Sequence, residues 1–417
     1  MKEILVFADW IGLPSTLKVG ILRSEKSKGE EVFSFEYDDA WLGGGYAQVI
    51  DPDLRLFEGP QYLNDDKPNF GLFLDSSPDR WGRMLMERRE SVIARNTNQP
   101  KRRLLESDFL LGVNDETRMG ALRFKLEESE HFLSDNKEIK VPPFTSIREM
   151  EQASLRLEDD DFFKDKEAMK WLMMLMAPGS SLGGARPKAS VRDLNGQLWI
   201  AKFPSKSDDK NSGAWEFIVN QMATELGINM AHAEARIYSQ KQHTFITKRF
   251  DRTVLNERIH FASAMTLLGY KDGYNHKEGG SYLEIVELIE QFGSDPDNDI
   301  KELWRRIVFS VAISNTDDHL RNHGFLLTSN GWKLSPAYDI NPIEKGIGLS
   351  LNISEYDNSL DFDLCISVAD YFRWKKEDAV NYIIRTKKIV SQWKKRARAM
   401  NIASAEQVMM ESAFKRM

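Results

Sequence analysis

Residues 315–322 read Asn315-Thr316-Asp317-Asp318-His319-Leu320-Arg321-Asn322, and they follow directly on the apolar run Ile307-Val308-Phe309-Ser310-Val311-Ala312-Ile313. A buried helix that empties into a cluster of carboxylates and amides is an arrangement that chemistry on phosphate uses. Phosphoryl transfer needs a carboxylate to orient the attacking hydroxyl and accept its proton, and a neutral oxygen donor nearby to hold magnesium over the phosphates. Asp317 and Asn322, five positions apart, have the spacing at which kinase catalytic loops supply these two groups. Asn, Thr and Asp also cap helices, so this segment alone leaves a polar cap as an open reading.

Working outward, Gly324–Leu327 and Trp332–Leu334 flank a turn at Ser329-Asn330-Gly331 and predict a β-hairpin. Such a hairpin returns Pro336-Ala337-Tyr338-Asp339-Ile340 to the catalytic segment. Asn322 and Asp339 together then offer magnesium the hard oxygen ligands it prefers. Upstream, Lys202 stands in the strand-like Leu198-Trp199-Ile200-Ala201-Lys202-Phe203-Pro204, and Glu216 follows among apolar residues of a predicted helix. An unpaired charge is costly there. Lys202 suits contact with the α- and β-phosphates and Glu216 suits the role of its partner, against the alternative of an exposed strand lysine. The stretch Pro178-Gly179-Ser180-Ser181-Leu182-Gly183-Gly184-Ala185-Arg186-Pro187-Lys188 is glycine-rich, and its backbone amides could approach phosphates closely. It matches no established phosphate-loop pattern, so a plain turn stays open.

The remaining chain supplies the frame. Strand signals fill the first 70 or so residues at Ile4–Phe7, Leu17–Leu22 and Val32–Tyr37, and helices are expected at 79–95, with Trp81, Leu85, Met86 and Ile93 on one face, and at 145–157 and 166–176. Further strands at Ala189–Arg192, Leu198–Phe203, Ala235–Tyr238 and Thr244–Phe250 surround a helix at Ser212–Leu226. Helices at 281–292, 299–314 and 369–399 follow. This order predicts an α+β, two-lobed protein-kinase-like fold. It would have a β-rich N-terminal subdomain at 1–140, an N-lobe with the Gly-rich loop at 141–255, and a mainly helical C-terminal lobe at 256–417. The acidic run Glu158-Asp159-Asp160-Asp161 reads as a solvated connection.

Bulk properties narrow the function classes. The 417 residues carry a formal net charge of -7, so contact with nucleic acid would need a local basic patch. Residues 373–398 are the candidate, with ten Lys/Arg against two acidic residues. The single cysteine, Cys365, excludes an internal disulfide framework. No run approaches the ~18 apolar residues that span a bilayer, and the first apolar run, interrupted by Asp9, reads as a strand instead of a leader. The expected location is the cytoplasm, with no membrane partner.

These segments together resemble the HipA-like family of bacterial toxin kinases. The matching motifs are Ser181–Lys188, Ala201-Lys202-Phe203-Pro204, Lys248-Arg249-Phe250-Asp251-Arg252, Asn315–Asn322 and Leu334–Asp339, with Asp75-Ser76-Ser77-Pro78-Asp79-Arg80-Trp81-Gly82-Arg83 upstream. The resemblance implies a serine/threonine-protein kinase toxin of a type II toxin–antitoxin module, using ATP and Mg2+ and causing growth arrest. Its implied partners are a helix-turn-helix antitoxin, operator DNA mainly through that antitoxin, and a protein substrate, an aminoacyl-tRNA synthetase in known relatives. It implies Asp317 as catalytic base and Asn322 and Asp339 as metal ligands. Around the nucleotide it implies Gly183, Gly184, Ala185, Arg186, Pro187, Lys188, Lys202, Glu216, Lys248, Arg249, Phe250, His319, Asn322, Tyr338 and Asp339. Ser181, or the adjacent Ser180, matches the serine that family members autophosphorylate, an event expected to remodel the loop and switch the kinase off. Asp318 stands where some relatives have Gly, and its role is left open. Three other readings stay in play: a metal-dependent hydrolase built on Asp317, Asp318, His319 and His323, a catalytically weak antitoxin-binding corepressor, and a small-molecule phosphotransferase.

Overall fold

The computed structural model describes residues 1–27, 29–63, 67–126, 131–133, 141–159, 161–176 and 184–416. In chain order the strands are β1 (Lys2–Ala8), β2 (Leu17–Ser27), β3 (Glu30–Tyr37), β4 (Gln61–Tyr62), β5 (Leu122–Lys125), β6 (Lys188–Arg192), β7 (Leu198–Lys202), β8 (Ala233–Arg236), β9 (Thr244–Lys248), β10 (Phe261–Ser263), β11 (Gly324–Thr328) and β12 (Gly331–Leu334). The α-helices are α1 (Asp39–Gly43), α2 (Gly71–Asp75), α3 (Arg80–Thr97), α4 (Glu106–Gly112), α5 (Ile147–Leu157), α6 (Ala168–Met176), α7 (Ser212–Glu225), α8 (Ala264–Leu267), α9 (Tyr282–Phe292), α10 (Pro296–Ile313), α11 (Phe362–Ser367), α12 (Lys376–Val390), α13 (Trp393–Ala399) and α14 (Ser404–Met410). They form two compact units. One holds Met1–Ser207, Tyr238–Lys241 and Asp251–Ala262, and the other holds Asp208–Ile237, Gln242–Phe250 and Ser263–Met417.

The first unit is built on an antiparallel sheet in the order β4-β3-β2-β1-β5. Alternation along β3 turns Phe33, Phe35 and Tyr37 into the core, where Phe35 meets Phe73 of α2 at 5.7 Å between ring centres. Helix α3 opens as its sequence directs. Asp79 accepts a hydrogen bond from the Gly82 amide at 2.8 Å and caps the first turn. Its buried face runs through Trp81, Leu85 and Val92, so the 3.6-residue period selects Val92 and leaves the expected Ile93 half-buried. The second Asp79 oxygen accepts from Lys188 Nζ at 2.8 Å, while Trp81 Nε1 donates to the Lys188 carbonyl at 3.0 Å. The upstream Asp79-Arg80-Trp81 segment thus clamps the start of β6. Nor is the acidic run merely solvated: Glu158 accepts from the Lys206 amide at 2.6 Å and from Ser205 Oγ at 3.0 Å.

The second unit is organised around α10, whose Leu303, Trp304, Ile307, Val308, Phe309, Val311, Ala312 and Ile313 are all 0% exposed. Trp304 stacks in a tilted cluster with Trp374 and Tyr382. A second cluster joins Trp215 of α7 to Trp393 and Phe414. Helix α7 lies so close to the start of β9 that a Cβ on Gly213 would stand 2.1 Å from the His243 carbonyl oxygen. The single helix expected over 369–399 is a 3-10 turn followed by α12 and α13, separated where Arg373 takes a left-handed φ of 61° and where Ser391 and Gln392 redirect the chain. The break lets Trp393 reach the stack with Phe414, at 4.7 Å.

The Asp79–Lys188 pair is almost fully buried, with 1% and 2% of the side chains exposed. Removing one member of such a pair strands the other charge. Asp79→Ala is expected to lower the urea-unfolding free energy by about 3–5 kcal/mol, and Asp79→Asn, which keeps an oxygen at the cap, by less. A loss below about 1 kcal/mol in Asp79→Ala would contradict this role.

Candidate functional site

Helix α10 ends at Ser314, a left-handed residue whose amide donates to the Ser310 and Val311 carbonyls. The chain leaves the core there, so the polar residues that follow serve a loop and not a continued helix. Ser350 Oγ donates to the Thr316 carbonyl at 2.8 Å. The His319 amide and Asn322 Nδ2 donate to the Asp317 carbonyl at 3.0 and 2.8 Å, and the Asn322 amide donates to the His319 carbonyl at 2.8 Å. Asp317 is therefore held by its backbone while its side chain, 72% exposed, projects to solvent with His319 Nε2 4.0 Å from Oδ1. Asn322 is buried at 7%.

The expected hairpin forms, with Phe325 opposite Leu334 and Thr328 opposite Gly331. Gly331 takes φ 123°, and a Cβ there would meet the Phe292 carbonyl oxygen at 2.5 Å, so glycine is the residue that closes this turn. Beyond β12, the Ala337 amide donates to the Asn229 carbonyl at 2.7 Å, and Tyr338 Oη donates to the Arg321 carbonyl at 2.6 Å. That bond ties the residue before Asp339 to the residue before Asn322. Asp339 has φ 56°, the left-handed region that asparagine and aspartate tolerate best and that recurs where sites hold strain.

The metal expectation can be tested on this donor set. Asn322 commits its amide nitrogen to Asp317, which leaves Oδ1 as the end able to accept a cation, and Asp339 supplies a carboxylate that accepts from Asn341 Nδ2 at 3.4 Å. One neutral and one charged oxygen suit magnesium, which completes its shell with water and phosphate oxygens. Among the described residues no group of three or more His, Cys, Asp or Glu side chains gathers as a metal site. His319 and His323 also differ in surroundings, one 41% exposed and the other 2%.

Other expected residues fall as follows. In the second unit, Lys248 ends β9 with its amide donating to the His232 carbonyl at 2.8 Å, Arg249 is buried, and the Phe250 ring lies 5.4 Å from that of Tyr338. Glu216 is buried on α7. In the first unit, Lys202 closes β7 at 8% exposure, which removes the exposed-lysine alternative. Gly184 and Ala185 are exposed, Arg186 is half-buried, and Pro187 and Lys188 are buried, with Lys188 Nζ also 3.3 Å from the Gly184 carbonyl. Gly183, Ser180 and Ser181 lie outside the described residues. Sequence reasoning missed the residues that hold the 315–322 segment from behind (Tyr282, Ser310 and Ser350), and its one pointer to the first two was the doubled Asp317-Asp318.

The family model described as the HipA-like C-terminal domain matches residues 180–406. The chain belongs to this family. Among curated proteins it is 24% identical over 181 residues to "Putative kinase Y4mE" of Sinorhizobium fredii, covering 38% of this chain and 41% of that protein. It is 26% identical over 178 residues to a "Putative kinase" of Haemophilus influenzae, covering 39% of this chain and 52% of that protein. The match to the serine/threonine-protein kinase toxin HipA of Shewanella oneidensis is 23% identical over 143 residues, covering 30% of this chain and 33% of that protein. The aligned stretches thus span about half or less of the curated relatives' length. In fold, the chain matches a chain of the solved complex of HipA, HipB and operator DNA from Shewanella oneidensis MR-1, with a TM-score of 0.63, 16% identity, and coverage of 95% of this chain and 93% of that one. The fold is α+β and kinase-like.

Tyr338→Phe should cost about 1 kcal/mol of unfolding free energy, because the Arg321 carbonyl loses its donor. Denaturation with an unchanged midpoint would show that this bond does not tie the two segments together.

Proposed function

We propose that this protein is an ATP- and Mg2+-dependent serine/threonine-protein kinase and the toxin of a type II toxin–antitoxin module. The observation that carries the reading is Asp317, exposed at 72% while its carbonyl is fixed by Asn322 at 2.8 Å. A general base must reach an incoming hydroxyl and stay oriented while doing so. Asp317 would accept the proton of a protein serine or threonine, and Asn322 and Asp339 would hold the metal that neutralises the phosphates. Lys202, Glu216, Lys248–Phe250, His319, Tyr338 and the loop through Gly183–Lys188 are the proposed nucleotide ligands, on the strength of their sequence motifs. Ser181 or Ser180 is the proposed site of autophosphorylation.

Membership of the family and the likeness to a chain solved with HipB and operator DNA support a helix-turn-helix antitoxin as partner, with operator DNA reached through it. This chain's own contribution is a set of cations. Lys375, Lys376, Lys388, Lys395 and Arg398 are exposed and have no acidic partner among the described residues, whereas Arg396 pairs with Glu225 and Lys394 with Glu411. Among the described residues no helix is long and apolar enough to cross a membrane.

Asp317→Ala and Asp339→Ala should each lower phosphate incorporation from labelled ATP by at least about 100-fold, abolish growth arrest, and leave the circular dichroism spectrum unchanged. Full activity in either folded variant would overturn the mechanism. Label found on a small metabolite and never on protein would make the enzyme a small-molecule phosphotransferase. For the DNA contact, changing Lys388, Lys395 and Arg398 to Gln should reduce the slope of log affinity against log salt of the toxin–antitoxin–operator complex by about 1–3. An unchanged slope removes these cations from the DNA-facing surface.

A further inference from the structure

The carboxylate of Asp318 has no task in phosphoryl transfer as read above, yet it is the more deeply placed of the adjacent pair, with 7% of its side chain exposed against 72% for Asp317. Taking a carboxylate out of water is costly unless it is paired and hydrogen-bonded. Three separate stretches of chain provide that compensation. Tyr282, first residue of α9, donates its hydroxyl to Asp318 Oδ2 at 2.8 Å, and Ser310, in the last turn of α10, donates to the same oxygen at 3.3 Å. His323, immediately before β11, brings Nε2 to 3.1 Å from Oδ1. Its ring meets that of Tyr282 edge-on, 5.6 Å apart at 90°. Burial by itself would push the Asp318 carboxyl up, but the His323 imidazole and the Tyr282 hydroxyl outweigh it and hold the group below its ordinary range.

Side chains on neighbouring residues of a tight turn diverge, so anchoring one inward sets where the other points. We propose that Asp318 is a positioning residue: gripped from behind by Tyr282, Ser310 and His323, it fixes the 316–323 turn so that the Asp317 carboxylate stays directed to solvent. His323 gains a task as well. Its backbone carbonyl accepts from the Ala264 amide at 2.7 Å, so the imidazole that faces Asp318 is itself tied to the start of α8.

This inference rests on the phosphoryl-transfer reading for its catalytic consequence, but its structural half can be measured without it. The variants are Asp318→Asn, which keeps the shape and an acceptor for Tyr282 while losing the charge, and Asp318→Ala. Hydrogen exchange on the full chain should show the 316–323 amides opening about tenfold more often in Asp318→Ala, with α12 unchanged. In the kinase assay, kcat per titrated nucleotide-binding site should fall by about 10- to 100-fold while KM for ATP stays within about threefold. Normalising to binding sites removes any misfolded fraction, so a merely structural defect would leave this kcat untouched. Asp318→Asn should fall between wild type and Asp318→Ala. Unchanged exchange in both variants overturns the proposal, as does an unchanged kcat per site in an active enzyme. If the wild-type protein transfers phosphate to nothing, the phosphoryl-transfer reading fails, and the exchange result alone decides whether Asp318 orders the turn.

Discussion

The hydrogen bond from the Asn322 amide to the Asp317 carbonyl is the constraint around which the site is arranged. In water such a bond contributes only about 1 kcal/mol, too little to order a loop by itself. Its effect comes from where it sits. Helix α10 delivers the chain from a largely apolar core, Ser314 ends the helix in a left-handed turn, and two residues on, the Thr316 carbonyl is taken by Ser350. The Asn322 bond closes a turn whose two ends are already fixed. It also orients Asn322, because the amide nitrogen faces the loop and the oxygen is left for a cation. One interaction thus sets the position of the proposed base and the polarity of the proposed metal ligand.

The return strand extends the same logic. Tyr338 donates to the Arg321 carbonyl, so the hairpin is tied to the loop one residue before each proposed metal ligand. Asp339 then adopts a positive φ, a conformation that costs about 1 kcal/mol for most residues and is retained where neighbouring structure enforces it. The Asp79–Lys188 pair does comparable work in the other unit, fixing the residue at which the Gly-rich segment becomes β6.

Much of this was legible in the sequence where the signal is local. Strand-favouring runs bounded by turn residues located β1 to β3, an Asp at the start of a 3.6-residue period located α3, and the Asp317–Asn322 spacing with a hairpin behind it pointed to the segment proposed as catalytic. What was illegible depends on distant partners. Asp79 and Lys188 are 109 residues apart and Tyr282 and Asp318 are 36 apart, separations at which no spacing rule operates. The length of the last helix was overread because lysine and arginine favour helix all along 375–398. Tertiary stacking of Trp393 on Phe414 decides the break there, and residue propensity does not.

The central claim is that the exposed Asp317 serves transfer of a phosphoryl group to a protein hydroxyl. Its most direct test is to incubate the purified protein with γ-labelled ATP and a lysate, with and without magnesium, and to locate the label by mass spectrometry. Label on serine or threonine of a protein, dependent on magnesium and absent with Asp317→Ala, is the predicted result. Label released only as free phosphate, or incorporation that persists in Asp317→Ala, would contradict the account.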